Sequence, residues 1–113
     1  MTSKHSHKAI VFGSISIDKI VNKHGSFPDV LGGSAAYALL ANQSNTCELV
    51  GVVGDDFPNS HYQLLSNNSL STKSLTRSKG STFCWGGKYK DDFSSRETLY
   101  VNPGVSETYI PEL

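Results

Sequence analysis

Two short apolar runs constrain this chain more than anything else in it. "AIVFG", Ala9 to Gly13, and "CELVGVVG", Cys47 to Gly54, are continuous rather than alternating, and each is closed by glycine. Runs of this kind are expected of strands buried on both faces, which belong to parallel sheets covered by helices. The intervening segments agree. Ser34 to about Gln43 reads as a helix, with Ala35, Ala36, Ala38 and Ala41 small enough for close packing on a sheet and Ser34 available as its N-cap. "DDFPNSHYQLLSNN" reads as a second helix, with acidic residues at its start, Pro58 in its first turn, and Tyr62, Leu64 and Leu65 as its apolar side. Strands alternating with helices predict an α/β chain built on a parallel, doubly wound sheet.

Other stretches are less regular. In "SISIDKIV" the apolar Ile15, Ile17, Ile20 and Val21 are interrupted by Asp18. "NKHGSFPD" is loop chemistry, with Gly25 and Pro28 as breakers, and "SLSTKSLTRSKG" reads as a loop or an edge strand. From Ser81 to Val105 the character changes to aromatic residues and threonines without helical periodicity, which predicts a β-ribbon. Gly86-Gly87 between "TFCW" and "KYK" has the form of a two-residue hairpin turn. Met1 to Lys8 is polar and is expected to be a flexible tail, His5 and His7 having no further metal ligands beside them. Two or three parallel strands leave long unpaired edges, and "YIPEL" resembles no closing element. Residues 9–113 are therefore expected to be a partial domain.

The 113 residues carry 10 basic and 10 acidic side chains, unclustered, which argues against a nucleic-acid or membrane surface. Cys47 and Cys84 lie far apart in no metal or redox pattern. With no signal peptide or long apolar run, the expectation is a cytoplasmic protein with two free thiols and no metal.

Two features carry chemistry. Asp18 lies a few residues past the first strand, and Gly32-Gly33 stands directly before the first helix. In open α/β sheets ligands bind beyond the carboxyl ends of the strands, where these places can be neighbours. A carboxylate beside exposed backbone N–H groups suits a polyhydroxyl ligand, the carboxylate accepting from hydroxyls and the backbone donating. The alternative is that Asp18 closes a turn and the glycines form a flexible loop. Arg96 pairs with an acidic ligand or forms a solvated salt bridge, and His24 and His61 are expected at the surface. "VGVVGDD" is not the glycine fingerprint of a nicotinamide site, which weighs against a dehydrogenase half.

Taken in order, "VFGSISIDKIV", "VLGGSAAYALLA", "LVGVVGDDFP" and "TFCWGGKYKDDFSSRETL" resemble the N-terminal part of a ribokinase-like, PfkB-type carbohydrate kinase. The resemblance covers nearly all of the chain after the tail. It implies a Rossmann-like open sheet with a small β lid, formed by about residues 82–101, with or without the loop before Gly32. It implies ATP and Mg²⁺ for the whole protein, and γ-phosphoryl transfer to a hydroxymethyl group of a sugar or nucleoside. Asp18 matches the aspartate that holds substrate hydroxyls, and Gly32-Gly33 the di-glycine at which the lid hinges. Ser16 and Tyr37 stand where relatives often have asparagine, which counts against ribose itself as substrate. Trp85 and Tyr89 then belong to the lid, where they cover the substrate, pack a lid–lid interface between two copies, or simply pack. The resemblance also favours a strand that runs through Gly86-Gly87 to Tyr89 and turns at "DDFSS". The family's "GAGD" anion hole and catalytic base do not occur in this sequence. The chain alone is thus expected to hold no catalytic residue, no ATP and no Mg²⁺, with a missing C-terminal half as partner. The alternative is a non-catalytic carbohydrate-binding or dimerisation module.

Overall fold

A computed structural model of the protein describes residues 9–42, 46–91 and 95–111. The tail at residues 1–8 and part of the "DDFSS" turn lie outside them, as does Gln43.

The core layer is built from strands β1 (Ala9–Phe12), β4 (Cys47–Gly54) and β5 (Leu75–Ser78), paired in parallel in the order β1-β4-β5. Helices α1 (Ser34–Ala41) and α2 (Asn59–Asn68) make the crossovers that parallel pairing requires. β4 is central and every one of its residues is buried, as its continuous apolar run predicts. Cys47, Leu49 and Val53 meet Ala35, Ala36 and Leu39 of α1 and Leu65 of α2 in one core, which Ile15, Ile17, Phe57 and Leu75 complete. On the opposite face Val50 and Val52 are also buried, and a 3₁₀ helix at Gly104–Thr108 packs against β4.

β1 departs from expectation. Its continuous apolar run predicts burial on both faces, but it is an edge strand. Val11 packs on the core, whereas Ile10 and Phe12 are 54% and 59% exposed. Continuity of an apolar run reports what a strand is suited to, not which neighbours cover it.

The second sheet is mixed, with strand order β3-β2-β6-β7, from β2 (Ser16–Asn22), β3 (Gly25–Gly32), β6 (Phe83–Tyr89) and β7 (Arg96–Asn102). β2 runs antiparallel to β3 and parallel to β6, and β7 returns antiparallel along β6. Much of the segment read as a loop is therefore strand β3. Pro28 is tolerated there because β3 is an edge strand and because the β2–β3 register slips between Asp18 and Ile20, opposite Pro28. β6 runs straight through Gly86-Gly87, so these glycines are not a hairpin turn.

Helix boundaries also shift. α1 takes Gly33, not Ser34, as its N-cap, and it ends at Ala41 with Ala38 and Ala41 facing outward. α2 begins at Asn59 with Pro58 as N-cap, so Asp55 and Asp56 precede the helix. Leu64 is exposed, while Tyr62 is half-buried and carries the Arg77 guanidinium 4.8 Å from its ring centre. His61 is more than a surface residue: its Nε2 lies 2.8 Å from the Asp29 carbonyl oxygen and its ring packs beside Phe57, tying α2 to β3. Cys47 and Cys84 are both unpaired.

Candidate functional site

The two layers meet where β1 gives way to β2 and where β3 gives way to α1. Alternation along β2 puts Ser16 and Asp18 on one face, and both are buried. The Ser16 hydroxyl donates to Asp18 Oδ1 at 2.7 Å, leaving the other carboxylate oxygen for a different donor. Asp18 therefore closes no turn. It is a buried acid within a strand, and such a group needs hydrogen-bond partners to stay charged.

The glycine pair follows from this arrangement. Gly32 is paired with Ser16 across β2–β3, and a β-carbon built on it would collide with all three carboxyl atoms of Asp18. Glycine at this position makes the space the acid occupies. Gly33 has φ +97°, a value that side chains disfavour, and a β-carbon there would run into the Ser14 carbonyl. Ser14 comes this close because it serves the start of α1. Its Oγ accepts from the Ser34 N–H at 3.1 Å and its carbonyl from the Ala35 N–H at 3.0 Å. Ser14 thus does the work expected of Ser34 by satisfying two amides of the first helical turn from a neighbouring segment.

β6 completes the wall. Parallel pairing sets Phe83 beside Ser16 and Trp85 beside Asp18. The Trp85 ring extends over Gly87, and its Nε1–H donates to Thr98 Oγ1 at 3.2 Å. On the other face of the strand the Tyr100 ring lies against Gly86. The two glycines are thus the floor on which two aromatic rings rest. Arg96 of β7 carries its guanidinium 5.0 Å from the Trp85 ring centre, a cation–π contact in place of the expected salt bridge.

These residues enclose one cleft of about 300 Å³, lined by Ser14, Ser16, Asp18, Gly33, Ser34, Tyr37, Phe83, Trp85 and Arg96. The cleft brings Asp18, Gly33, Ser16, Tyr37 and Trp85 together, with Gly32 directly behind the Asp18 carboxylate. It leaves out Tyr89, which lines a separate depression with Lys88, Lys90, Asp91, Ser95 and Glu97. The sequence reading missed Ser14, Ser34 and Phe83 as wall residues. Phe83 had a signal, since the resemblance placed it in the lid ribbon, but Ser14 had none because its role depends on backbone amides distant in sequence.

The cleft can hold hydroxyl groups at the Asp18 end and against the serine hydroxyls, and it presents one cation, Arg96, among its lining residues. Among the described residues no group of three or more His, Cys, Asp or Glu side chains could hold a metal ion. No described helix is long and apolar enough to cross a membrane.

No protein-family model matches the sequence, and no curated protein does. Solved structures do match the fold. Ribokinase from Cryptococcus neoformans var. grubii serotype A, in complex with ADP, superposes with a TM-score of 0.73 and 21% identity over 88% of this chain and 35% of its own. A nucleoside kinase from Methanocaldococcus jannaschii, described as an archaeal member of the ribokinase family, gives 0.67 and 23% over 90% of this chain and 38% of its own. A Burkholderia thailandensis nucleoside kinase in complex with inosine gives 0.66 and 18% over 85% of this chain and 37% of its own. The chain thus has a ribokinase-like fold, in part: it spans little more than a third of the length of these structures.

Proposed function

We propose that this chain is the substrate-recognition part and lid of an ATP-dependent sugar or nucleoside kinase acting in the cytoplasm. The whole protein would transfer the γ-phosphoryl group to a substrate hydroxymethyl group. The observation that carries this reading is the buried Asp18 carboxylate, bound by Ser16, given room by Gly32, and placed at the base of a cleft that Trp85 and Arg96 overhang. In this reading Asp18 accepts hydrogen bonds from substrate hydroxyls, Tyr37 packs on the carbon face, Gly33 is the hinge, and the second sheet is the lid.

The residues described here do not fit ATP or Mg²⁺. They offer no cluster of metal ligands, and Arg96 is the sole cation lining the cleft. Phosphoryl transfer needs positioned phosphates, a metal and a base near the attacking hydroxyl. Those groups are assigned to a part of the whole protein outside this chain. The test is ATP-dependent phosphorylation of a panel of sugars and nucleosides by the intact protein, read as ADP release. Turnover that Asp18→Ala weakens through KM supports the reading, and no turnover on any member rejects it.

A second reading has its own observation. β7 is exposed along its whole length and presents Leu99, Tyr100 and Val101 at the free edge of the second sheet. An open, apolar edge of this kind invites pairing with a second copy. A lid-mediated homodimer would give twice the monomer mass in sedimentation equilibrium, and Val101→Lys would return it to monomer. A wild-type protein that stays monomeric at high concentration excludes it.

A further inference from the structure

We infer that the ligand of this cleft is an anionic monosaccharide, carrying a carboxylate or a phosphate at the end opposite its hydroxymethyl group, and that Arg96 is the residue that selects it. The inference rests on the kinase reading above and narrows its substrate class.

Three observations carry it. The first is how Arg96 is held. Its guanidinium carbon lies 5.0 Å from the centre of the Trp85 ring. A cation–π contact consumes none of the guanidinium N–H donors, which keep the planar fork that matches a carboxylate or phosphate. A cation seated against a ring in the cleft wall is placed to meet an anion.

The second is the distribution of charge. The lining residues include one acid, Asp18, and one base, Arg96, on different strands of the same sheet. Asp18 is buried beside Ser16 on β2, whereas Arg96 is exposed at the start of β7. A ligand lying along the cleft would present hydroxyls to the first and a negative group to the second. A neutral sugar would satisfy only the Asp18 end.

The third concerns the Trp85 ring. It rests on Gly87 and carries the guanidinium. A purine or pyrimidine would have to displace Arg96 in order to stack there. The volume, about 300 Å³, lies at the small end of ligand cavities, as a single sugar ring requires.

The test is titration calorimetry on the intact protein with probes that share one carbon skeleton: glucose, gluconate and glucose 1-phosphate, with inosine as the nucleoside probe. The expected result is that at least one anionic probe binds about tenfold tighter than glucose or more. That preference should shrink as salt is raised, because an exposed ion pair is screened. Arg96→Gln should abolish the preference, and Arg96→Lys should keep part of it. Asp18→Asn should weaken all sugar probes alike. Gluconate against glucose 1-phosphate tells a carboxylate ligand from a phosphate. Because Arg96 is exposed, the variant is expected to fold, and an unchanged near-ultraviolet circular dichroism spectrum confirms it. Equal affinity for glucose and both anions, or a preference that survives Arg96→Gln, overturns the inference. Tightest binding of inosine, with ATP-dependent turnover, overturns it and leaves the kinase reading standing. Absence of both binding and turnover brings down the two together.

Discussion

At Gly32 the consequential atom is the one that is absent. A methyl group placed there would occupy the space of the Asp18 carboxylate, so Gly32→Ala attacks the acid without changing it. Both Gly32→Ala and Asp18→Ala are therefore expected to weaken substrate binding, the latter by about 1.5–3 kcal/mol, the worth of a hydrogen bond to a charged group. Titration of the two variants with the best substrate checks this, and unchanged affinity in Gly32→Ala would show that Asp18 moves freely. Gly33→Ala differs in kind. It forces a side chain into a positive-φ conformation and against the Ser14 carbonyl, so it should cost about 1–3 kcal/mol of folding stability, measured by urea unfolding. Tyr100 offers a residue-scale test by pH. Desolvation, and then the neighbouring Cys84 through its charge and its hydrogen bond, hold the phenol above its ordinary value. A raised folded-state value favours the protonated phenol, so its contribution to stability is present at neutral pH and is lost as pH rises through the alkaline phenol range. Cys84→Ser should move the late step in an ultraviolet tyrosine titration to lower pH, and an unmoved step would remove the thiol as a cause.

Between the elements, the clearest joint is Thr82, which is fully buried just before β6. Its Oγ1 accepts from the Gly54 N–H at 2.8 Å and donates to Asp56 Oδ1 at 2.7 Å, and its own N–H donates to that same oxygen at 2.8 Å. The end of β4 and the start of the second sheet are thereby fastened together. Thr82→Val keeps the shape and deletes the hydroxyl, leaving a buried amide unsatisfied. It should destabilise the protein by about 1–3 kcal/mol, while Thr82→Ser retains most of the stability; equal denaturation midpoints for both variants would deny the joint. Its existence could not be read from sequence. Asp55 and Asp56 have the composition of a helix start, yet Asp56 is used on a threonine 26 positions away. Local pattern does fix much else. The continuous apolar run gave β4, Ala35 and Ala36 of the four small residues gave part of the packed face of α1, and the aromatic-rich last third gave β6 and β7. Failures came where a distant partner decides. Ser14 replaces the local cap of α1, and a register slip lets Pro28 sit in a strand. At the site, Asp18 and the glycine pair stood out as candidates, but their local pattern left a turn and a flexible loop equally open, because the contact between Gly32 and the Asp18 carboxylate joins residues 14 positions apart. Arg96 was legible as a charge, but its seat on Trp85 was not.

For the molecule as a whole, the outer edge of β1 is a surface that the described residues leave uncovered. A four-residue strand at the edge of a parallel sheet presents unpaired backbone groups, and Ile10 and Phe12 stand exposed beside them. Parallel sheets are ordinarily covered on both faces, so an edge and face of this kind call for a partner. The fold's match to about a third of longer kinase structures supplies a candidate, the remainder of the same protein. On that reading, hydrogen exchange on the intact protein should find β1 amides protected about as well as those of central β4. Phe12→Asp should then destabilise the protein by about as much as a charge buried without a partner, several kcal/mol. Detection of a segment peptide together with the intact mass settles which protein is being measured. A mass well above that of 113 residues, with slow exchange at β1, would show that a further segment of the protein covers this edge. Fast exchange at β1 in the intact protein would instead mean that the edge is open. The cleft would then be a binding site, and no phosphoryl transfer should follow from it.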